Sequence, residues 1–261
     1  MLIFFLVSLL SSTVGAVCGI GGGVIIKPVL DLLHLETVST ISFLSGCTVL
    51  AMSCYSVGRS MLAGEKRVSL STGTPLAIGA AIGGLLGSRL FSAVRGMFES
   101  QNRVGAVQAA CLAAVTAGTL LYTIQKDHIS TRHVSSRILC ILIGLVLGCM
   151  SSFLGIGGGP INLVVLYFFY SMDTKTAAAN SLYIILFSQL ASVLAVMLSG
   201  APPFRPLALL LMTAGGVCGG AVGRRLNRKL DNRAVDRLFI VLMALIICIS
   251  LLNAWRYLNA A

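Results

Sequence analysis

Charge is what this sequence most lacks. Only 10% of its 261 residues are charged, 57% are hydrophobic, and mean hydropathy is +0.96. A soluble domain carries about 25% charged residues, so a chain this poor in charge cannot cover itself with a polar surface. The scarcity excludes a soluble protein and leaves an integral, multi-pass protein of the cell membrane. Apolar segments take up most of the length, so no separate soluble domain fits, and residues 1–261 read as a single membrane domain.

Acidic residues are scarcer still: 8 against 19 Lys and Arg, a net charge of +11. A nucleic-acid partner does not follow, because no basic domain with interleaved aromatics exists and the cations sit between apolar segments. That is where loop Lys and Arg fix membrane topology. Histidine is rare, and His34, His128 and His133 fall near segment ends. The eight cysteines form no CxxC pair and read as small buried hydrophobes, with Cys18 and Cys149 nearest the glycine runs described below. No metal site or cofactor is expected. A membrane-embedded enzyme would need a nucleophile with a base, or a metal cluster, and neither is found. The apolar start, residues 1–17, resembles a signal peptide but has no basic n-region. It also matches residues 138–153 of a second copy, so it reads as a retained structural element.

What the sequence does have is a duplication. Gly19-Ile20-Gly21-Gly22-Gly23 recurs 136 residues later as Gly155-Ile156-Gly157-Gly158-Gly159. Aligning residues 19–90 with 155–226, without a gap, gives 22 identities in 72 positions. They include Ser45/Ser181, Gly79/Gly215, Gly83-Gly84/Gly219-Gly220, Gly87/Gly223 and Arg89-Leu90/Arg225-Leu226. Repeat one covers 1–125, a linker 126–136, and repeat two 137–261.

Each repeat has four apolar stretches, beginning near residues 2, 38, 70 and 104 and near 138, 176, 204 and 238. Six have the length of one span, about 20 residues or slightly more. The first and fifth do not. A continuous helix over 2–33 would be about 48 Å long against a hydrocarbon core of about 30 Å. Three consecutive glycines favour a break there, and Pro160 suits the first position of a new helix. Each element thus reads as a half-helix of about 16 residues, a turn, and a second of about 10–12. Non-helical backbone at that depth must be buried in protein or line a watered cavity.

Charge placement separates two architectures. With the arginine-rich loop 224–237 inside, re-entrant first and fifth elements make the repeats inverted. Arg59, Lys66, Arg67, Lys126, Arg132 and Arg137 then also fall inside, leaving Arg89, Arg95, Arg103, Arg205 and Arg256 outside. Parallel repeats would move the first six outside, against the positive-inside rule. The expected fold is an all-α polytopic membrane protein of two inverted four-segment repeats with broken first and fifth helices.

A helix that begins at a glycine turn presents unpaired N–H groups and the positive end of its dipole, a ready anion site. Two such starts, at Val24 and Pro160, point the reading toward Gly21, Gly22, Gly23, Gly157, Gly158 and Gly159. Lys27 is an intramembrane cation, costly and by default functional, although Asp31 stands one turn away as a partner. Leu163 occupies the equivalent position, so any charge at the site is one-sided. Among the polar residues Ser42, Ser45, Thr48, Asn162, Asn180, Ser181 and Gln189, most read as links between helices. Ser45, Ser181 and Asn180 are the better site candidates. The glycine stripes at 79, 83 and 87 and at 215, 219 and 223 read as close helix packing.

With its repeats, glycine breaks and arginine ends, the sequence resembles the sulfite exporter TauE/SafE family of membrane permeases over essentially the whole chain. The residues that carry the resemblance are Gly19 to Gly23 with Pro28-Val29-Leu30, Gly155 to Gly159 with Pro160, and Ala179-Asn180-Ser181-Leu182. Two glycine-rich ends, Gly84 to Arg89 and Gly220 to Arg225, complete it. The resemblance implies a secondary transporter of sulfite, sulfonates or related organosulfur anions, working outward and driven by an ion gradient. The partners it implies are a small anion, the lipid bilayer and a coupling ion. Lys27 stands where the family pattern has an apolar residue, and Ser42-Phe43-Leu44-Ser45 where a Thr-Ser pair is usual. Two other readings are an anion channel and a structural or assembly protein without transport activity.

Overall fold

A computed structural model of the protein describes residues 1–33, 35–65, 67–97, 100–134, 136–156 and 158–259. Among these residues the chain forms ten α-helices and no strand. In order they are α1 (Leu2–Cys18), α2 (Gly23–Leu32), α3 (Val38–Leu62), α4 (Leu70–Met97), α5 (Gln101–Gln125), α6 (Arg137–Leu154), α7 (Pro160–Tyr170), α8 (Thr174–Ser199), α9 (Pro206–Lys229) and α10 (Asn232–Asn259), with a short 3-10 turn at Lys126–His128. Seven of them, α3 to α6 and α8 to α10, are long and apolar enough to cross a membrane. Leucines such as Leu142, Leu190, Leu194 and Leu245 lie exposed on the outer faces. Such apolar exteriors suit a hydrocarbon solvent.

The two glycine runs fall where helices stop. α1 ends at Cys18 and α2 begins at Gly23; α6 ends at Leu154 and α7 begins at Pro160. The half-helices are 17 and 10 residues long in the first repeat and 18 and 11 in the second.

The glycine stripes fix how the helices run. A methyl group at Gly215, Gly219 and Gly223 would meet in turn Phe5 and Ser8, Leu9 and Ser12, and Thr13 and Ala16, so α9 lies parallel to α1 with backbones close. At Gly79, Gly83 and Gly87 it would meet Ile141, Leu145 and Cys149, which sets α4 parallel to α6 in the same way. Small residues at such crossings let main chains approach, which is how helices associate where no hydrophobic force acts between them. Gly216 against Thr48 and Gly220 against Met52 align α3 with α9; Gly73 against Asn180 and Gly84 against Ser188 align α8 with α4. Thus α1, α3 and α9 share one direction, and α4, α6 and α8 share another. Every one of these pairings has its counterpart 136 residues away.

Candidate functional site

Both breaks use the same turn. Gly19 (φ 77) and Gly155 (φ 66) adopt the left-handed conformation that ends a helix. The Gly19 N–H bonds to the Gly15 carbonyl at 2.8 Å, the Gly155 N–H to that of Ser152 at 3.1 Å, and the following N–H groups of Ile20 and Ile156 reach back to Gly15 and Ser151. The second closure is the Schellman arrangement, whereas in the first both N–H groups close on the single Gly15 carbonyl. Carbonyls left over at each helix end still need donors, since no water reaches them from lipid. Asn227 of α9 donates to the Val17 carbonyl at 2.6 Å, and Gln108 of α5 to that of Phe153 at 2.7 Å. Val17 and Phe153 are equivalent positions, so different helices supply the same cap to each repeat.

The two breaks touch. A side chain on Gly23, the first residue of α2, would strike the carbonyl oxygen of Ile156 in the other break, with the Ser45 hydroxyl 2.9 Å from its Cβ. Gly19 lies against Ala178 of α8, and Gly155 against Ser42 of α3, positions that are again equivalent. Gly22 packs back onto Ser12 of α1, and Gly158 (φ 115) onto Ile185. A methyl on Gly159 would stand 3.2 Å from the Ile156 side chain, Gly21 packs on Gly15, and Gly157 lies outside the described residues. Ser45 beside Gly23, and its repeat mate Ser181 on α8 between Ala178 and Ile185, which pack on Gly19 and Gly158, are fully buried and their hydroxyls have no partner; the Asn162 Oδ1, also buried, has none either. Buried polar atoms are ordinarily satisfied, so unpartnered symmetry mates at the meeting point of two helix breaks call for an explanation.

Asn180 has a different position. Its amide donates to the carbonyls of Arg67 and Thr176 at 2.9 and 2.8 Å and accepts from the Ser69 N–H at 3.1 Å. It ties α8 to the start of α4, with both amide N–H groups and the carbonyl oxygen engaged. Lys27 is 3% exposed and forms an ion pair with Asp31 at 3.1 Å. Its stem runs along the second break, with Cδ 3.6 Å from where a Gly155 methyl would sit. The Asn253 amide of α10 donates to the Pro28 carbonyl at 2.8 Å, and Arg256 to that of Leu32 at 3.2 Å. Lys27 is therefore a paired charge beside both breaks, not a free one.

Two cavities flank the junction. One, of about 370 Å³, is walled by α3, α4 and α8 and reaches Ser42, Ser152, Gly155 and Gln189, with Arg89 and Arg95 at its rim. Two arginines and no carboxylate line it among the described residues. The other, of about 50 Å³, lies between Ala16, Ser56, Ala178 and Leu182, with Arg224 and Arg228 at its rim. It is the first cavity moved by one repeat: Ser42 becomes Ala178, Gly46 becomes Leu182, Ser88 becomes Arg224, Ser152 becomes Ala16, and Ser192 becomes Ser56. The large cavity touches α3 near Ser39 and Ser42, the small one touches it near Ser56 and Ser60, so they occupy opposite ends of one spanning helix. α8 meets them in the reverse order and so runs antiparallel to α3. Glu65 bridges the small cavity's mouth, bonded to Arg224 at 2.7 Å and to Ser60 at 3.0 Å, with Arg228 at 3.7 Å. Burial pushes this carboxyl up, but the hydrogen bonds from Arg224 and Ser60 and the charges of Arg224 and Arg228 hold it below its ordinary value.

Neither Ser152 nor Glu65 stands out in the sequence. Ser152 is one of many membrane serines, and nothing local couples Glu65 to an arginine 159 residues away.

The family model described as sulfite exporter TauE/SafE matches residues 4–250. A probable membrane transporter protein of Bacillus subtilis (strain 168), YunE, is 25% identical over 264 residues, covering 94% of this chain and 95% of the relative. No solved structure matches. Helices long enough to span, a glycine-broken pair at their centre, and a family match over nearly the whole length make this a multi-pass membrane transporter and not an enzyme: the chain belongs to the sulfite exporter TauE/SafE family.

Proposed function

We propose that the protein is a secondary transporter that exports a small anion, namely sulfite, a sulfonate or a related organosulfur anion, bound where its two glycine breaks meet. The observation that carries this reading is the junction itself. Two helix starts, α2 and α7, converge beside the unpartnered hydroxyls of Ser45 and Ser181. N–H groups and hydroxyls are the donors an anion needs, and a helix start adds the positive end of its dipole. Gly21, Gly22, Gly23, Gly158 and Gly159 belong to this site because their missing side chains let the breaks and the neighbouring helices pack closely, and Gly157 belongs to the same run. Lys27 supplies the charge, from one repeat only.

The repeats are inverted, and α1–α2 and α6–α7 are re-entrant hairpins entering from opposite sides. The shared direction of α1 and α3 supports this, since α2 must bring the chain back to the end where α1 began. The shared direction of α6 and α8 supports the same for α7. Six helices then cross: α3, α4, α5, α8, α9 and α10. Arg59, Arg67, Lys126, Arg132, Arg137 and the 224–237 loop share the small cavity's side, which the positive-inside rule assigns to the cytoplasm. The large cavity faces outside. Transport exchanges the two cavities: the outer one closes as its equivalent opens, around a fixed central site.

Reconstituted protein tests this by uptake of radiolabelled sulfite and methanesulfonate. Gradient-dependent flux of at least one is expected; flux of neither overturns the proposal. Fluxes at channel rates, seen as unitary currents, would replace a carrier by a pore.

A further inference from the structure

We infer that Asp31 is the site of a coupling proton, taken up when the substrate anion draws Lys27 away from it; this rests on the transporter reading above. As it stands, the Lys27–Asp31 pair is buried and neutral, 3% and 5% exposed. An anion arriving at Lys27 brings a third charge into the same low-dielectric space. Coulomb energies there are several-fold larger than in water, and a buried charge that loses its partner is strongly destabilising. Protonating Asp31 removes the surplus: ammonium and anion remain, and the acid is neutral.

Three features of the geometry suit this exchange. Only Oδ2 of Asp31 contacts Lys27; Oδ1 is buried and has no partner, so it can receive the proton without breaking a bond. The Lys27 stem already lies along Gly155, which lines the outer cavity, so the ammonium needs only a side-chain swing to meet an anion at the breaks. Asn253, fixed to the Pro28 carbonyl one turn from Asp31, has an Oδ1 without a donor, an acceptor for a protonated acid.

The surroundings offer no competing charge. From α10, the Tyr257 side chain hydrogen-bonds to the Asp31 carboxylate, and Arg256 bonds to the Leu32 carbonyl. α1 carries no charged residue, and the single charge of α3, Arg59, is at its far end. The equivalent positions in repeat two are Leu163 and Tyr167, so one proton site serves the whole transporter. A dianion that leaves with one proton still moves as a net negative charge, and an inside-negative potential drives it outward.

The test uses the full chain in proteoliposomes with a trapped pH indicator, and sulfite and methanesulfonate as probes. Proton movement is read as the difference between wild type and Asp31→Asn, so the proton that sulfite itself carries cancels. Wild type should move one proton more per anion than Asp31→Asn. Its affinity for the transported anion should weaken up to about tenfold per pH unit where one proton is linked to binding, while Asp31→Asn should show a flat profile. The double variant Lys27→Met/Asp31→Asn, with no charge left to strand, should fold as wild type and bind neither anion. If Asp31→Asn does not fold, the wild-type pH profile decides: a flat one overturns the inference. Equal proton counts in wild type and variant overturn it while leaving anion transport intact, whereas absence of flux for both anions removes the transporter reading and this inference together.

Discussion

Gly23 and Ile156, 133 positions apart in the chain, are in direct contact: the first residue of α2 leaves no room for a Cβ beneath the Ile156 carbonyl oxygen. Through this contact the two glycine breaks meet. It predicts that Gly23→Ala destabilises the protein by about 3 kcal/mol, as overpacking against unyielding backbone does, and abolishes transport. Gly58→Ala, in α3 where an added methyl meets nothing within 4 Å, is the control. It should leave both melting temperature and flux at wild-type values.

Ser45 and Ser181 separate a ligand site from a structural one. Their hydroxyls bond to nothing in the protein, so Ser45→Ala and Ser181→Ala should not lower the melting temperature. Each should raise the KM for sulfite up to about tenfold, the worth of one hydrogen bond. Asn180→Ala should behave in the opposite way. It breaks the ties to Arg67, Thr176 and Ser69, and should cost about 1–3 kcal/mol of stability by stranding buried groups, with KM nearly unchanged.

The amide caps make a prediction about stability alone. Gln108→Leu strands the Phe153 carbonyl and Asn227→Leu strands that of Val17. Each should lower stability by about 1–3 kcal/mol, the desolvation cost of an unpaired buried acceptor, seen as a fall in melting temperature in detergent.

Much of this was legible in the sequence because it rests on local physics. Three glycines in a row end a helix whatever surrounds them, Pro160 begins one, and a stripe of glycines four apart seats a neighbouring backbone. Duplicated register gave the equivalence of Ser45 with Ser181. What the sequence could not supply is long-range pairing. Asp31 one turn from Lys27 is legible as a partner, but that the lysine stem runs along Gly155 of the other break is not. Asn180 looks like a site residue next to Ser181, but on a helix adjacent residues face different ways, and its side chain points to the loop before α4. Glu65 sits in the loop after α3 and Arg224 inside α9, and only the fold joins them.

That ion pair gives a pH prediction. The Glu65 carboxyl, held below its ordinary value in the folded protein, favours the closed inner cavity when ionised. For a depressed acid the contribution is complete above the unfolded value, about 4.3, and is lost as pH falls through the folded one. Thiol labelling of Ser56→Cys, in a background whose exposed native cysteines are serine and scaled to a free thiol at the same pH because the reactive thiolate is lost in acid, should therefore speed up at acidic pH. Glu65→Gln should be fast at every pH. A Glu65→Gln variant as slow as its parent would show that the pair does not hold the cavity shut.

Ser56 and Ser192 provide the most direct check on the account as a whole, being equivalent residues that line the small and the large cavity. Single cysteines at the two positions, probed with an impermeant thiol reagent in vesicles of known orientation, report which side each cavity opens to. Inverted repeats around one central site predict that Ser192→Cys reacts from outside and Ser56→Cys only from inside, with sulfite shifting the ratio of their rates. Labelling of both from the same side would contradict it.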